Sequence, residues 1–343
     1  MRYPWVNTAL LVLVPLSLIG GLGALLTGDP GRGWVVGLHG VGGYAILVLL
    51  GWKAAVILRA YRRRRLFSPT GLGFLFLAVL LPALLGTGFV WSYVGPVWLG
   101  AISLMVVHGL LGVVLAALFL WHLGARRFIL RLAPARDRRA FLRLVAGALA
   151  GFGAWWLAGP TKTALALPGA FRRFTGSYEM GSYSGHFPVT SWLFDTPPAL
   201  EPARWRLVVD GLVLRPLVLD YPALLALADT RRDEVLDCTG GWYSAQVWTG
   251  VSLARLLDLA GVQSTARSVR IEAATGYARR FDLATAATCL LATHVADQPL
   301  DRGHGFPLRL VVPGQRGFAW VKWITRIHVS SRPAWLQSPL PLS

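Results

Sequence analysis

The stretch "LDCTGGWYSAQVWTGVSLARLL", residues 236–257, holds one of only two cysteines in the 343-residue chain. Upstream of it, "DEVLDC" reads as a strand ending at Cys238, and Gly240 and Gly241 free the backbone for a tight turn. Downstream, "SLARLLDLAG" reads as a short helix. A thiolate offered at such a turn suits a soft metal centre. Cys289 sits in "LATAATCLLATHV", which predicts a short apolar helix and a buried core thiol.

Outward from this stretch, residues beyond about 170 keep one pattern. Short alternating strands such as "WRLVVDG" and "PLRLVVPG" are separated by Gly and Pro turns. Residues 176–343 therefore read as a mixed α+β domain, joined through a linker at 161–175 to something quite different.

That other half is apolar. The chain is 55% hydrophobic with a net charge of +18, and long apolar runs crowd its first half. Five segments, about 8–27, 33–58, 71–93, 97–123 and 141–158, are long enough or nearly so to cross a bilayer. The expected architecture is a membrane bundle of four helices (1–125), then a basic loop and a fifth connecting helix (126–160), then the α+β domain. Residues 1–160 carry +13 and the remainder +5, and the excess concentrates in "RAYRRRR" (59–65) and "RRFILRLAPARDRR" (126–139). A nucleic-acid binder would gather its charge on a soluble face, so no nucleic-acid partner is expected. Arginine runs between apolar spans set topology instead. They predict a bacterial or archaeal plasma-membrane protein with a cytoplasmic N-terminus and everything after Gly159 outside. "DRRAFLRLVAGALAGFGAWWLAG" also resembles a twin-arginine export signal, and plain positive-inside flanking accounts for the same arginines.

The membrane half repeats. An offset of 69 residues lays "HGVGGYAILVLLGWK" (39–53) on "HGLLGVVLAALFLWH" (108–122), matching the histidine, two glycines and the tryptophan. His39 and His108 then lie at one depth near the outer face. An imidazole in hydrocarbon needs a partner, and two of them are natural axial ligands for a haem b iron. The alternative gives each histidine a backbone carbonyl and the glycines a helix-packing role. Fourteen residues rise roughly 21 Å and return near the starting face, which puts His122 and Lys53 where an inner haem would sit. Four-helix cytochromes b with two haems use such pairs, and this half resembles them. Lys53 departs from the pattern, so the inner haem is lost, or has an amine ligand, or Lys53 snorkels to the interface.

The second half resembles the sulfite oxidase family of molybdopterin oxidoreductases. "HFPVTSW" (186–192), the opening stretch, "GYA" (276–278), "HGFPLRLVVPG" (304–314) and "RGFAWVKWITRIHV" (316–329) follow one another in that family's order. The resemblance implies that Cys238 is the thiolate on molybdenum and that His186 contacts the pterin. It places Arg309 and Lys322 at the cofactor phosphate, Tyr277 near the metal's open face, and His304 in the same region. Sulfite oxidases surround their anion with arginines, yet the corresponding positions here are Ser184 and Tyr243. An anionic pocket is therefore not expected, and in ending soon after the cofactor segment the chain is closer to periplasmic methionine sulfoxide reductase catalytic subunits. The expected function is a molybdenum oxidoreductase carrying its own haem partner and anchored in membrane lipid. It would pass electrons between quinone or quinol and a small extracytoplasmic substrate, leaning to reduction of an S-oxide or N-oxide. A dehydrogenase oxidising a small external substrate is the alternative enzyme. A haem-only electron carrier with a metal-free outer domain is the alternative from another class.

Overall fold

The computed structural model describes residues 4–63, 69–125, 138–191 and 195–340. It divides into two compact units, Met1–Tyr178 and Glu179–Ser343. Most of the basic loop 126–139, residues 64–68 and Trp192 fall outside the described residues.

The first unit is built from α1 (Pro4–Leu26), α2 (Trp34–Arg63), α3 (Pro69–Tyr93), α4 (Leu104–Ala125) and α5 (Arg138–Ala164). All five contain apolar spans long enough to cross a membrane. Helix α1 packs on α2, α3 on α4, and α5 on α2. Their buried seam includes Trp5, Val6, Leu10, Ile46, Leu49 and Leu115. Leu16, Ile19, Val113 and Leu120 point outward and are exposed, the reverse of a water-facing helix. Two boundaries differ from expectation. Residues 98–103 form a two-stranded hairpin, Trp98–Leu99 against Ile102–Ser103, and α4 starts only at Leu104. The fifth helix runs through Pro160 to Ala164, so the linker is shorter than its composition suggested.

The repeat also extends further than the sequence comparison found. Pro15 lies inside α1 and Pro82 inside α3, 67 residues apart, as are Ser17 and Leu84, and Gly21 and Gly88. The partner helices of the two histidine helices are therefore copies as well.

The second unit holds two sheets. One runs in the order β2 (Leu217–Leu219), β1 (Leu207–Gly211), β10 (Ile324–Ser330), β5 (Ser268–Ala273), β6 (Ala278–Asp282), with only the β1–β10 pair parallel. The other centres on the antiparallel hairpin of β3 (Thr230–Asp237) and β4 (Trp242–Ser252). Strand β4 continues onto β7 (Leu290–Val295), which takes β8 (Gln298–Pro299) and β9 (Arg309–Val311) on its other edge. Helices α6 (Tyr221–Ala226), α7 (Leu253–Ala260) and α8 (Leu283–Thr288) complete the unit. The expected helix around Cys289 stops at Thr288, and "LLATHV" is β7 instead. Cys289 caps that helix end fully buried, donating its thiol to the Thr285 carbonyl at 3.3 Å. Burial pushes the thiol up to about 12, as expected for an inert core residue.

Candidate functional site

Strand β3 delivers Cys238 because its hairpin with β4 closes there. Cys238 N donates to Trp242 O at 2.9 Å and Gly241 N to Cys238 O at 3.1 Å. Gly241 has φ +91°, a conformation that a side chain would strain. The turn folds back so that Gly240 N donates to the Cys238 sulfur at 3.3 Å. Cys238 is buried, and burial raises its thiol above the ordinary cysteine value. Left to itself the group is a thiol; a bound metal would turn it into a thiolate.

Cys238 lines a cavity of about 60 Å³ that is partly open to solvent. Trp242, Tyr277, Trp320 and Trp323 form its aromatic wall, and Arg309, Lys322, His304 and Asp195 bring polar groups to it. Arg309 is buried among the faces of Trp248 and Trp320, with its guanidinium 5.3 and 5.7 Å from the ring centroids. One nitrogen donates to the His304 carbonyl at 3.1 Å, while its buried Nε has no hydrogen-bond partner among the described residues. Burial pulls the Arg309 guanidinium down to about 10. Burial, then the neighbouring Arg309 charge, pulls Lys322 down to about 7. Two desolvated cations, one with an orphaned donor, fit an anionic group such as a pterin phosphate.

The remaining expected residues divide. His304 is buried and stacked on Phe187 at 3.9 Å, with its Nδ1 2.8 Å from Asp301 and its Nε2 3.0 Å from the Phe187 carbonyl. Burial lowers its affinity for a proton, while the Asp301 carboxylate works the other way. Tyr277 lines the cavity, but its hydroxyl donates to the Phe318 carbonyl. Burial raises its ionisation above the usual phenol value. His186 is exposed in an irregular segment and does not line the cavity; the chain there presents Phe187 inward instead. Ser184 and Tyr243 stand outside the lining as well. Tyr243 alternates with buried Trp242 along β4 and so faces the other way.

One pair escaped the sequence reading. Arg316 donates to Asp237 at 2.7 Å and to the Cys238 carbonyl at 3.0 Å, with both charged side chains only 3% exposed. The pair ties the loop after β9 to the backbone of the cysteine. Its signal was an aspartate beside a cysteine at the end of an apolar strand, and a lone arginine in "GQRGF".

In the helical unit, the His39 and His108 rings lie with centroids 6.0 Å apart and planes at 79°. His39 Nδ1 bonds to Ser17 O at 2.9 Å; His108 Nδ1 bonds to Leu84 O at 3.0 Å and lies 3.1 Å from the Thr87 hydroxyl. The equivalent carbonyls of the two repeats thus hold equivalent nitrogens, leaving Nε2 without a hydrogen bond among the described residues. A Cβ at Gly21 would lie 3.0 Å from His39 and one at Gly88 would lie 3.1 Å from His108, so glycine is what admits each ring. Two histidines held this way are the residues that would hold a haem iron, if one binds here. Lys53 donates to Asn7 Oδ1 at 2.6 Å, and His122 is half-buried near the end of α4.

Residues 194–336 match the oxidoreductase molybdopterin binding domain. Over 137 residues the chain is 32% identical to the uncharacterized oxidoreductase YuiH of Bacillus subtilis, covering 39% of this chain and 69% of that protein. The chain belongs to the sulfite oxidase family of molybdopterin oxidoreductases. This sulfite oxidase family member is also 28% identical over 207 or more residues to family enzymes, among them the mitochondrial sulfite oxidase of Drosophila melanogaster, where it covers 52% of this chain and 37% of that protein. With the NADH nitrate reductase 1 of Phaseolus vulgaris it shares 34% identity over 37% of this chain and 18% of the other. It therefore spans well under half the length of those two relatives. The family assignment makes the chain an oxidoreductase with a molybdopterin cofactor, and the matched residues include Cys238, Tyr277, His304, Arg309 and Lys322.

Proposed function

We propose that the chain is a membrane-anchored molybdenum oxidoreductase that passes electrons between the quinone pool and a small extracytoplasmic substrate through haem b, in the direction of S-oxide or N-oxide reduction. The observation that carries this reading is the buried Cys238 thiol sharing one aromatic cavity with two partly desolvated cations. Cys238 would hold the metal, and Arg309 and Lys322 would hold the cofactor phosphate. When bound, the cofactor supplies a two-electron centre suited to oxygen-atom transfer. His39 and His108 would hold the haem, supported by their paired carbonyl bonds and glycine-lined rings.

The residues of the cavity set what it accepts. Its aromatic wall favours a compact, weakly charged substrate. Tyr277 has its proton committed to Phe318 O, so its oxygen faces a ligand as an acceptor. Asp195 contributes a negative charge to the lining. Asp195 repels an oxyanion such as sulfite and offsets part of the Arg309 and Lys322 charge in the same cavity, whereas a neutral S-oxide or N-oxide escapes that repulsion.

Two measurements test the reading. A charge about 4 Å away in a wet pocket is worth about 1 kcal/mol. Asp195→Asn should therefore raise kcat/KM for sulfite roughly fivefold and leave a neutral sulfoxide within about twofold. Wild-type enzyme turning over sulfite faster than any neutral oxide would overturn the substrate preference. In the other unit, His108→Ala should abolish the reduced-minus-oxidised haem spectrum while molybdenum per chain stays at the wild-type level. Haem retained by that variant counts against the ligand assignment, and haem without molybdenum in the wild type leaves only a membrane cytochrome.

A further inference from the structure

Among the described residues, Lys162 and Arg172 of the helical unit are two cations that no carboxylate meets. The only acidic residues of that unit are Asp29 and Asp137. Asp29 accepts a hydrogen bond from Gly31 N and caps the short turn at Pro30–Arg32. Asp137 lies outside the described residues, and Lys162 lies near the C-terminal end of α5. Lys162 rests 5.6 Å from the centroid of the Tyr93 ring, and the charge of Arg172 bears on it. Arg172 donates to the Ser92 hydroxyl at 2.9 Å and is strongly desolvated, which draws its guanidinium below its ordinary value. The Tyr44 and Tyr93 hydroxyls meet at 2.5 Å beside them. Two like charges gathered over a pair of phenols, without an acid, call for an anion from outside the chain.

The same helix connects this cluster to the histidines. On α3, Leu84, Thr87 and Gly88 touch His108, and Ser92 and Tyr93 touch the cations. Thr87 and Tyr93 are six residues apart, about 9 Å of rise. Phe89 fills the interval, packing on Tyr44 at 5.0 Å and on Tyr93 at 6.1 Å. Tyr44 itself follows His39 by five residues on α2. A macrocycle held at the histidines therefore has cations and hydroxyls within one side chain's reach of its edge.

We infer that Lys162 and Arg172, with the hydroxyls of Tyr44 and Ser92, form a carboxylate-binding site that receives the propionates of the haem. The inference rests on the haem reading above, and it assigns the haem edge to the end of the bundle where α3 and α5 terminate. A phospholipid phosphate has similar chemistry, so the test must separate the two.

Full-length apoprotein is titrated with haem and with haem dimethyl ester, whose propionates carry no charge, for wild type, Arg172→Gln, Arg172→Lys and Lys162→Gln. Co-purified phospholipid is quantified on the same samples. The wild type should bind haem roughly 10–100-fold more tightly than the ester, the scale of a lost charge-assisted hydrogen bond. Arg172→Gln and Lys162→Gln should each shrink that ratio by lowering haem affinity alone, and Arg172→Lys should restore most of it. Loss of a nearby cation should also lower the haem midpoint potential, which is read by redox titration. Equal weakening of haem and ester would overturn the inference, because it would mark a packing role. An unchanged ratio with lost phospholipid would overturn it too, assigning the site to a lipid phosphate. A wild type that binds neither porphyrin overturns the haem reading itself, which is a distinct result.

Discussion

Cys238→Ala is expected to strip molybdenum from the protein while leaving its fold in place. Cys238 is only 6% exposed, and its sulfur accepts a hydrogen bond from Gly240 N at 3.3 Å and interacts with the Thr190 side chain. Replacing a small buried thiol by a methyl leaves a minor void, worth about 1 kcal/mol. The hairpin itself is held by the Cys238, Gly241 and Trp242 backbone bonds, which the substitution spares. Metal retention depends on the sulfur directly. Loss of an outer-shell partner costs about 10–100-fold in affinity or activity, and loss of the ligand itself should cost more, taking turnover to background. Elemental analysis of molybdenum per chain, with circular dichroism on the same sample, separates the two effects. Cys289→Ala is the matched control: its thiol is buried in the core away from the cavity, so stability should fall slightly and molybdenum should not change. Molybdenum retained at the wild-type level in Cys238→Ala would remove the thiolate from the coordination sphere.

How much of this was legible in the sequence follows from how local each signal is. The five apolar runs needed only length and composition, and five helices stand close to the expected positions. The hairpin at Cys238 was legible because two glycines and a strand pattern act over a few residues. The helix expected around Cys289 failed because "LLATHV" is apolar in either conformation; its pairing with β4 and β9, far away in the chain, decided for a strand. The repeat was visible in α2 and α4, where histidine and tryptophan mark it. It was missed in α1 and α3, where the matching groups are backbone carbonyls at Ser17 and Leu84 and carry no side-chain signature. At the site, residues that point inward from regular strands or conserve the family's order, such as Arg309 and Lys322, came together in the cavity. His186 did not, because the chain there turns its neighbour Phe187 into the core. Arg316 and Asp237 are 79 residues apart and pair only through the folded loop.

That pair sets the second large expectation. Arg316→Met leaves the Asp237 carboxylate buried without its guanidinium, and breaking a buried pair from one side costs about 3–5 kcal/mol. For a unit of this size each kcal/mol is worth about 2–4 °C, so Tm of the second unit should fall by roughly 6–20 °C. Stability alone would make the pair a structural bolt. Arg316 also donates to the Cys238 carbonyl at 3.0 Å, and this contact gives it a second consequence. In Asp237→Leu/Arg316→Met the uncompensated charge is gone, and well-packed apolar pairs replace buried ion pairs at little or no cost. Most of the lost Tm should return. The Cys238 carbonyl, however, keeps only its Gly241 donor and still lacks the Arg316 one, so the cysteine is held less firmly and molybdenum loading should stay reduced by about 10–100-fold in affinity. Differential scanning calorimetry and metal analysis on the single and double variants separate the roles. Recovery of both quantities together would confine the pair to stability. Recovery of Tm without molybdenum would make Arg316 a positioning residue for the metal-binding cysteine, acting through the backbone that presents the sulfur.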